Sequence, residues 1–516
     1  MAFKTARILI ALALLATVSN AAEIIRHESS GKNNQYMVVF KEHVDIERAL
    51  EHVAATEVKK ILKSHDYMHV DMGSWKSPSF FEIPEADGTP MIGYTTTFTE
   101  EHLQELANDP DIEYIEQDQV ITISPIESSD NSFDAESSSN ESQDFRNVEH
   151  KILERQKATW GLARVSTRKW DQDSIDARLF KYDEEDGKNV TAYVVDTGVY
   201  VYHPEFEGRA TLGKSFVEDQ FGEPTDALDG HGHGTHCAST IAGKTYGVAP
   251  NANIVAVRVL DAGGSGSTSG VVGGVSWAVK EHVKSGIDAK SIISMSLGGF
   301  PSPTLDRAVN AAIDAGVHVA VAAGNESGDA CRGSPSRAEK VTTVGATDVN
   351  DVMAYFSNWG KCVNIFAPGH LITGAWLDNT TNTISGTSMA TPHIAGVMAA
   401  YLSRMETNPS PKKLQKILTR LSTKDALSGL PDSGNTVNEI AYTCDGRLPG
   451  VCDGLDEETY SFDDVIKNDY NVPTIQAPSM DDAETGESFV SDMFTVKGIM
   501  TRLGQHVMTP FWYLLE

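Results

Sequence analysis

A carboxylate, an imidazole and a hydroxyl stand at three glycine-marked positions, far apart along this chain. Asp196 ends the apolar run Ala192-Tyr-Val-Val and is followed by Thr197-Gly198. Such a run predicts a strand with an acid at its C-terminal end, the edge where open α/β sheets bind ligands. An Asp there is equally a helix cap or turn residue. The second motif reads Asp229-Gly-His231-Gly-His233-Gly-Thr-His236-Cys237-Ala. Three clustered histidines suit a zinc site, a glycine turn with solvated rings, or a general base at a helix start. The motif alone does not choose among these. The third reads Ile384-Ser-Gly386-Thr-Ser388-Met-Ala-Thr-Pro-His393, a polar turn entering the helical pattern Ser388–Leu402. Serine at a helix start is an N-cap by default. The same place sets an oxygen at the positive end of the helix dipole, where an oxyanion formed by its attack would be stabilised.

The elements that must carry these residues follow from periodicity. Strand-like runs (Val190–Val195, Ile254–Leu260, Ile292–Leu297, Val317–Ala322) alternate with helical patterns at 271–284 and 305–315. That alternation predicts an α/β domain with a mostly parallel sheet. Upstream, residues 36–123 hold short apolar runs (Tyr36–Phe40, Ile112–Ile115, Val120–Ile123) and a helical pattern near 46–64, as in a small α+β unit. A serine-rich acidic stretch, 127–144, separates the two and reads as a linker.

The chain has 516 residues, more than one typical domain, and its 40% hydrophobic and 22% charged composition is that of a globular protein. The net charge of −30 argues against nucleic acid as a partner. The excess is segmental: 127–144 carries six acids and no base, and 453–492 carries twelve acids against Lys467 alone. Acidity therefore says little about the substrate. Lys4 and Arg7 precede the apolar run Ile8–Val18, and small residues follow near Ala21, which marks residues 1–21 as a secretory signal peptide. No stretch is expected to span a membrane stably; the partly apolar end Phe494–Glu516 is interrupted by Lys497, Arg502, Gln505, His506 and Pro510. Cysteine is sparse (Cys237, Cys331, Cys362, Cys444, Cys452), so one or two bridges and an odd thiol are expected in an oxidising compartment. Sequons at Asn140 and Asn379 fall in polar, loop-like sequence and are the glycosylation candidates; those at Asn189 and Asn325 adjoin strand patterns.

Taken together, Asp, His and Ser occur in the chain order of subtilisin. The sequence resembles the subtilisin-family serine proteases of the proteinase K and cerevisin type. Asp196-Thr-Gly, His233-Gly-Thr-His-Cys-Ala and Gly386-Thr-Ser388-Met-Ala-Thr-Pro match the three family signatures, and Trp160-Gly-Leu-Ala-Arg resembles the mature N-terminus. The resemblance implies a subtilisin-like three-layer α/β catalytic domain at 158–435. It implies an inhibitory propeptide domain at 22–126, including Ile112-Glu-Tyr-Ile-Glu-Gln-Asp118, which assists folding, occupies the cleft and is removed by self-cleavage. Residues 127–157 become the processing zone and 436–516 an acidic C-terminal extension.

By motif position the resemblance assigns Ser388 as nucleophile, His233 as general base and Asp196 as the group that orients it. Asn325, in Ala322-Ala-Gly324-Asn325, matches the oxyanion asparagine, with the Ser388 amide as second donor. Ser296-Leu297-Gly298 and Gly264-Ser265-Gly266, with Gly324, resemble the backbone segments that flank an extended peptide. They present no carboxylate cluster, which implies a broad, apolar-preferring endopeptidase rather than a dibasic processor. Cys331 and Cys362 are spaced like a family disulfide, Cys444 and Cys452 suit a small loop, and Cys237 is expected to be a packed free thiol. No cofactor is expected to be required. Calcium is allowed as a structural ion with no ligand set identified, because Asn364 replaces an Asp of a family site and so removes a charge from a hard-cation site. A monomer is expected, with protein and peptide substrates and its own propeptide as partners. The destination is the secretory pathway, ending in a vacuole- or lysosome-like compartment or outside the cell. Two other classes compete: a metallohydrolase built on His231, His233 and His236, and an inactive protease-like scaffold.

Overall fold

The computed structural model describes residues 21–27, 34–63, 78–123, 127–128, 151–219, 225–286, 288–432 and 435–447. The signal-peptide run, the acidic stretches apart from Glu127–Ser128, Asn140, Cys452 and Phe494–Glu516 lie outside them. Two compact units result: described residues up to Glu82 with Pro90–Asp118, and Ile83–Thr89 with the chain from Gln119 onward.

The smaller unit is α+β. Its five-stranded sheet runs in the order Glu23–Ile25, Ile112–Gln117, Gln35–Phe40, Pro90–Thr97, Ser79–Pro84. The pattern near 46–64 is the helix Ile46–Lys63, and a second helix spans Glu100–Ala107. Thr99 caps that second helix, its Oγ1 accepting from the His102 amide, which satisfies a donor that the helix start leaves free. Val38, Phe40, Val53, Tyr94, Leu103 and Ile115 are buried in one core.

The larger unit is built on a nine-stranded sheet. Its order is Ala210–Ser215, Asn253–Arg258, Val190–Asp196, Lys290–Met295, His318–Ala322, Thr342–Thr347, Ile365–Pro368, Glu439–Ile440, Thr423–Lys424. Every pairing is parallel except the last. A parallel sheet is covered on both faces, so its strands read as near-continuous apolar runs; all five residues of His318–Ala322 are buried. The four strand readings and both helical patterns meet observed elements within a few residues: Thr268–Lys284 and Pro303–Asp314 are the helices. From Val190–Asp196 the chain adds strands first to one side, then to the other. The end of that strand is therefore the point where the winding reverses, which is where such sheets open a crevice. Asp196 is its last residue.

The larger unit reaches beyond 158–435 at both ends. Ile152–Arg155 forms an antiparallel ribbon with Phe180–Asp183. Ile440 pairs in parallel with Phe366, and the turn Cys444–Gly446 follows. Among the described residues no helix is long and apolar enough to cross a membrane.

Candidate active site

Three elements bring the motif residues together. Asp196 closes its strand, His233 opens the helix His233–Ala242, and Ser388 is the second residue of the helix Thr387–Ser403. The two helices pack against each other: Cys237, one turn after His233, lies with its Sγ 3.4 Å from the Ser388 carbonyl oxygen. His233 Nδ1 donates to Asp196 Oδ1 at 2.7 Å, with both side chains at most 1% exposed. The Thr197 amide donates to the same oxygen at 2.7 Å. This approach requires glycine at 234, since a Cβ there would lie 2.1 Å from the Gly198 carbonyl oxygen.

The loop before His233 is held by Asp229, a buried carboxylate. Its Oδ1 accepts from the His231 and Gly232 amides and the Thr197 hydroxyl, its Oδ2 from the Thr235 amide and hydroxyl. The sequence reading quoted Asp229 without giving it a role. A carboxylate set just before a helix whose first amides lack partners was the available signal. Trp376 was missed altogether; its ring covers Gly232, where φ is +109° and a Cβ would sit 2.3 Å from it.

Ser388 is held from the neighbouring strand end. Its Oγ donates to the Ser296 carbonyl at 3.1 Å, and the Ser296 hydroxyl donates to the Ser388 carbonyl at 2.8 Å. Asn325 Oδ1 accepts from both the amide and the hydroxyl of Thr387 at 2.8 Å. That fixes the amide so that its Nδ2 lies 3.2 Å from the Cβ position of Gly386. Among the described residues, the buried atoms Asn325 Nδ2, His233 Nε2 and Asp196 Oδ2 have no hydrogen-bond partner. Gly324 adopts φ +99°, and its amide donates to Thr387 Oγ1.

The other histidines do not join the constellation. His236 Nε2 donates to the Ile372 carbonyl at 3.0 Å, and burial pushes its pKa down to about 3. Burial also lowers that of His231. Among the described residues, the one group of three His, Cys, Asp or Glu tight enough for an ion is Asp196, His233 and Cys237, with ligand atoms within 4.8 Å. Cys237 is free and buried, and burial raises its thiol pKa well above the ordinary value, so it stays protonated. Cys331 and Cys362 are disulfide-bonded, with Cα atoms 5.4 Å apart. Cys444 is also disulfide-bonded. Asn364 Oδ1 accepts from the Thr343 amide at 2.7 Å. Asn379 is exposed, in a turn with φ +59°.

The cleft holds a stretch of the chain itself. Val120–Thr122 pairs antiparallel with Ser265–Ser267, and the Ile123 amide donates to the Gly264 carbonyl at 3.0 Å. On its other side Thr122 exchanges two backbone hydrogen bonds with Gly298. A peptide thus lies as an added strand between the two glycine segments. Ile121 is buried while Val120 is 58% exposed, the alternation of a half-buried strand. Glu127–Ser128 pairs antiparallel with Ile384–Ser385, just before the serine helix.

Comparison with known proteins decides the family. Residues 187–437 match the model of the subtilase family, peptidase S8, and residues 35–124 that of peptidase inhibitor I9. The chain is 40% identical over 459 residues to the subtilisin-like serine protease Pen c 2 of Penicillium citrinum, covering 83% of this chain and 92% of that protein. The chain belongs to the subtilase family. It is also 39% identical over 462 residues to alkaline protease 2 of Aspergillus fumigatus, covering 83% and 85%. A solved cold-adapted subtilisin-like serine proteinase aligns with a TM-score of 0.50 and 45% identity, covering 56% of this chain and 98% of that one. This subtilase is a serine protease made with an I9 inhibitor propeptide, the fold and activity that the sequence motifs imply.

Proposed function

We propose that Ser388 is the nucleophile, His233 the general base and Asp196 the residue that orients the ring. Peptide hydrolysis proceeds in two steps. His233 Nε2 takes the Ser388 proton as Oγ attacks the scissile carbonyl, then delivers it to the leaving amine, which departs and leaves an acyl-enzyme. Water, deprotonated by the same nitrogen, attacks the ester and restores the serine. Asp196 holds the proton on Nδ1, so Nε2 faces the serine as the basic nitrogen and the imidazolium is stabilised when it forms. Asn325 Nδ2 and the Ser388 amide receive the oxyanion, a role suited to a donor that nothing else occupies.

The observation that carries this reading is the buried 2.7 Å His233–Asp196 bond, with Nε2 and Asn325 Nδ2 without a partner among the described residues. Ser388 Oγ donates to the Ser296 carbonyl in this structure, and the relay requires it to turn to His233 Nε2. Substrates bind as an added strand on Gly264, Ser265 and Gly266 and on Ser296, Leu297 and Gly298. Main-chain pairing reads no side chain, which supports broad specificity with an apolar preference. The reading includes entry into the secretory pathway, ending in a lytic compartment or outside the cell, with Asn379 as a glycan acceptor and a monomeric enzyme. Calcium enters only as a structural ion.

Expression of full-length Ser388→Ala in a protease-free host tests the assignment. An uncleaved, inactive precursor is expected; normal maturation of that variant would overturn self-processing by Ser388.

A further inference from the structure

We infer that the segment Lys151–Ala158 stays with the mature enzyme, so that the maturation cut lies upstream of Lys151. This rests on the self-processing reading above. The segment is built into the larger unit along its whole length. Ile152–Arg155 pairs residue for residue with Phe180–Asp183, and the Glu184 amide donates to the Lys151 carbonyl at 2.9 Å. Ala158 is 2% exposed, and its amide donates to the Arg178 carbonyl at 2.9 Å.

Arg155 anchors the ribbon. Its guanidinium donates to the Thr245 and Gly247 carbonyls at 3.0 and 3.2 Å and lies 4.9 Å from the centre of the Tyr182 ring. Tyr182 in turn stacks on Phe180 at 5.2 Å. The two carbonyls belong to the turn that closes the histidine helix: the Gly247 amide donates to Gly243 and that of Val248 to Thr240. A cation at that place meets the negative end of the helix dipole. Removing the ribbon would strip the partner from the turn behind His233 and uncover two aromatic rings.

The geometry also argues against a cut just before the stretch that resembles a mature N-terminus. A subtilase cleft takes its peptide as an extended strand, as Val120–Thr122 illustrates. Lys157 is in the left-handed region, φ +57°, and the residue after it is buried. Presenting the bond after Lys157 would require dismantling the ribbon first. The other end closes on the same place: the Thr443 amide donates to the Val165 carbonyl at 2.7 Å, and a Cβ on Gly446 would lie 2.7 Å from the Tyr182 backbone. The two ends of the catalytic unit thus brace each other.

Intact-mass measurement and N-terminal sequencing of the active enzyme, matured from full-length chain, read the answer directly. The first residue is expected at Lys151 or upstream. A fully active enzyme of unchanged Tm that begins at Ile152 or later would overturn the inference. Ser388→Ala run in parallel separates the two readings: cleavage of that variant counts against self-processing, while the residue at which the product begins still decides the ribbon. Arg155→Met is expected to lower Tm by several degrees with the cut unmoved, and Arg155→Lys to restore part of the loss. An Arg155→Met enzyme with wild-type Tm would show that the ribbon braces nothing.

Discussion

Two buried carboxylates of the larger unit, Asp186 and Asp196, each pair with a basic side chain, and the pairs differ in what they leave undone. Asp186 and Arg404 are both at most 1% exposed and fully engaged. Both Asp186 oxygens accept from the guanidinium, at 2.7 and 2.6 Å, and the remaining Arg404 nitrogen donates to the Thr443 and Arg447 carbonyls. Asp196 and His233 are as deeply buried, yet among the described residues Asp196 Oδ2 and His233 Nε2 have no partner. A buried polar atom without a partner costs about 1–3 kcal/mol. In the proposed mechanism the Ser388 proton is what His233 Nε2 receives. The first pair joins distant parts of the chain; the second would serve proton transfer.

The comparison fails most plainly if mutations do not sort by pair. Ser388→Ala, freed of its propeptide by an added protease so that it can be compared with the mature enzyme, should lower kcat by about 10⁶-fold with Tm unchanged. Asp196→Asn should cost about 10⁴-fold in kcat through loss of the correct tautomer, again with a folded protein. Asp186→Ala should do the reverse, removing about 3–5 kcal/mol of stability by stranding a buried guanidinium while the folded fraction keeps its turnover; denaturant unfolding alongside active-site titration separates the two. Asn325→Ala should lower kcat by about 10²–10³-fold with KM little moved, the loss that removing such a donor causes in subtilisin.

A smaller effect concerns pH. Burial depresses the pKa of His236 to about 3 and those of His318 and His393 to about 4. The unfolded chain takes up these protons near pH ~6.5 and the folded chain only below the depressed values. Between those limits the unfolded state binds more protons, so stability falls as pH drops from about 6.5 toward 4. Tm measured across that range should decline on the acid side; a flat profile would mean that these rings are not held neutral.

Much of this was legible before any coordinates. Apolar runs such as Val317–Ala322 are strands because a parallel sheet buries both faces, and Ser388 leads its helix because glycine turns and helix starts leave marks in sequence. What escaped has a common cause. Ile152–Arg155 mixes an apolar and a charged residue on each face, and its partner at Phe180–Asp183 lies beyond the helix Trp160–Val165 and the helical turn Ile175–Arg178, so no local period announces the ribbon. Ile440 joins the sheet through a two-residue strand embedded in polar sequence, too short for any pattern. Asp229 went without a role because the histidines beside it drew the chemistry, although a carboxylate just before a helix start is a capping signal. The family resemblance implied only that the upstream domain occupies the cleft; the docking of Val120–Thr122 onto Ser265–Ser267 was not read, since an added strand is defined by its partner and not by its own residues.

The central claim is that one hydroxyl in the chain is activated, and covalent labelling tests it most directly. Mature enzyme treated with a fluorophosphonate, digested and mapped by mass spectrometry should carry a single stoichiometric adduct on Ser388, with activity lost in proportion and a chelator without effect on the labelling. An adduct on another residue, or an unlabelled enzyme whose activity a chelator abolishes, would contradict the account.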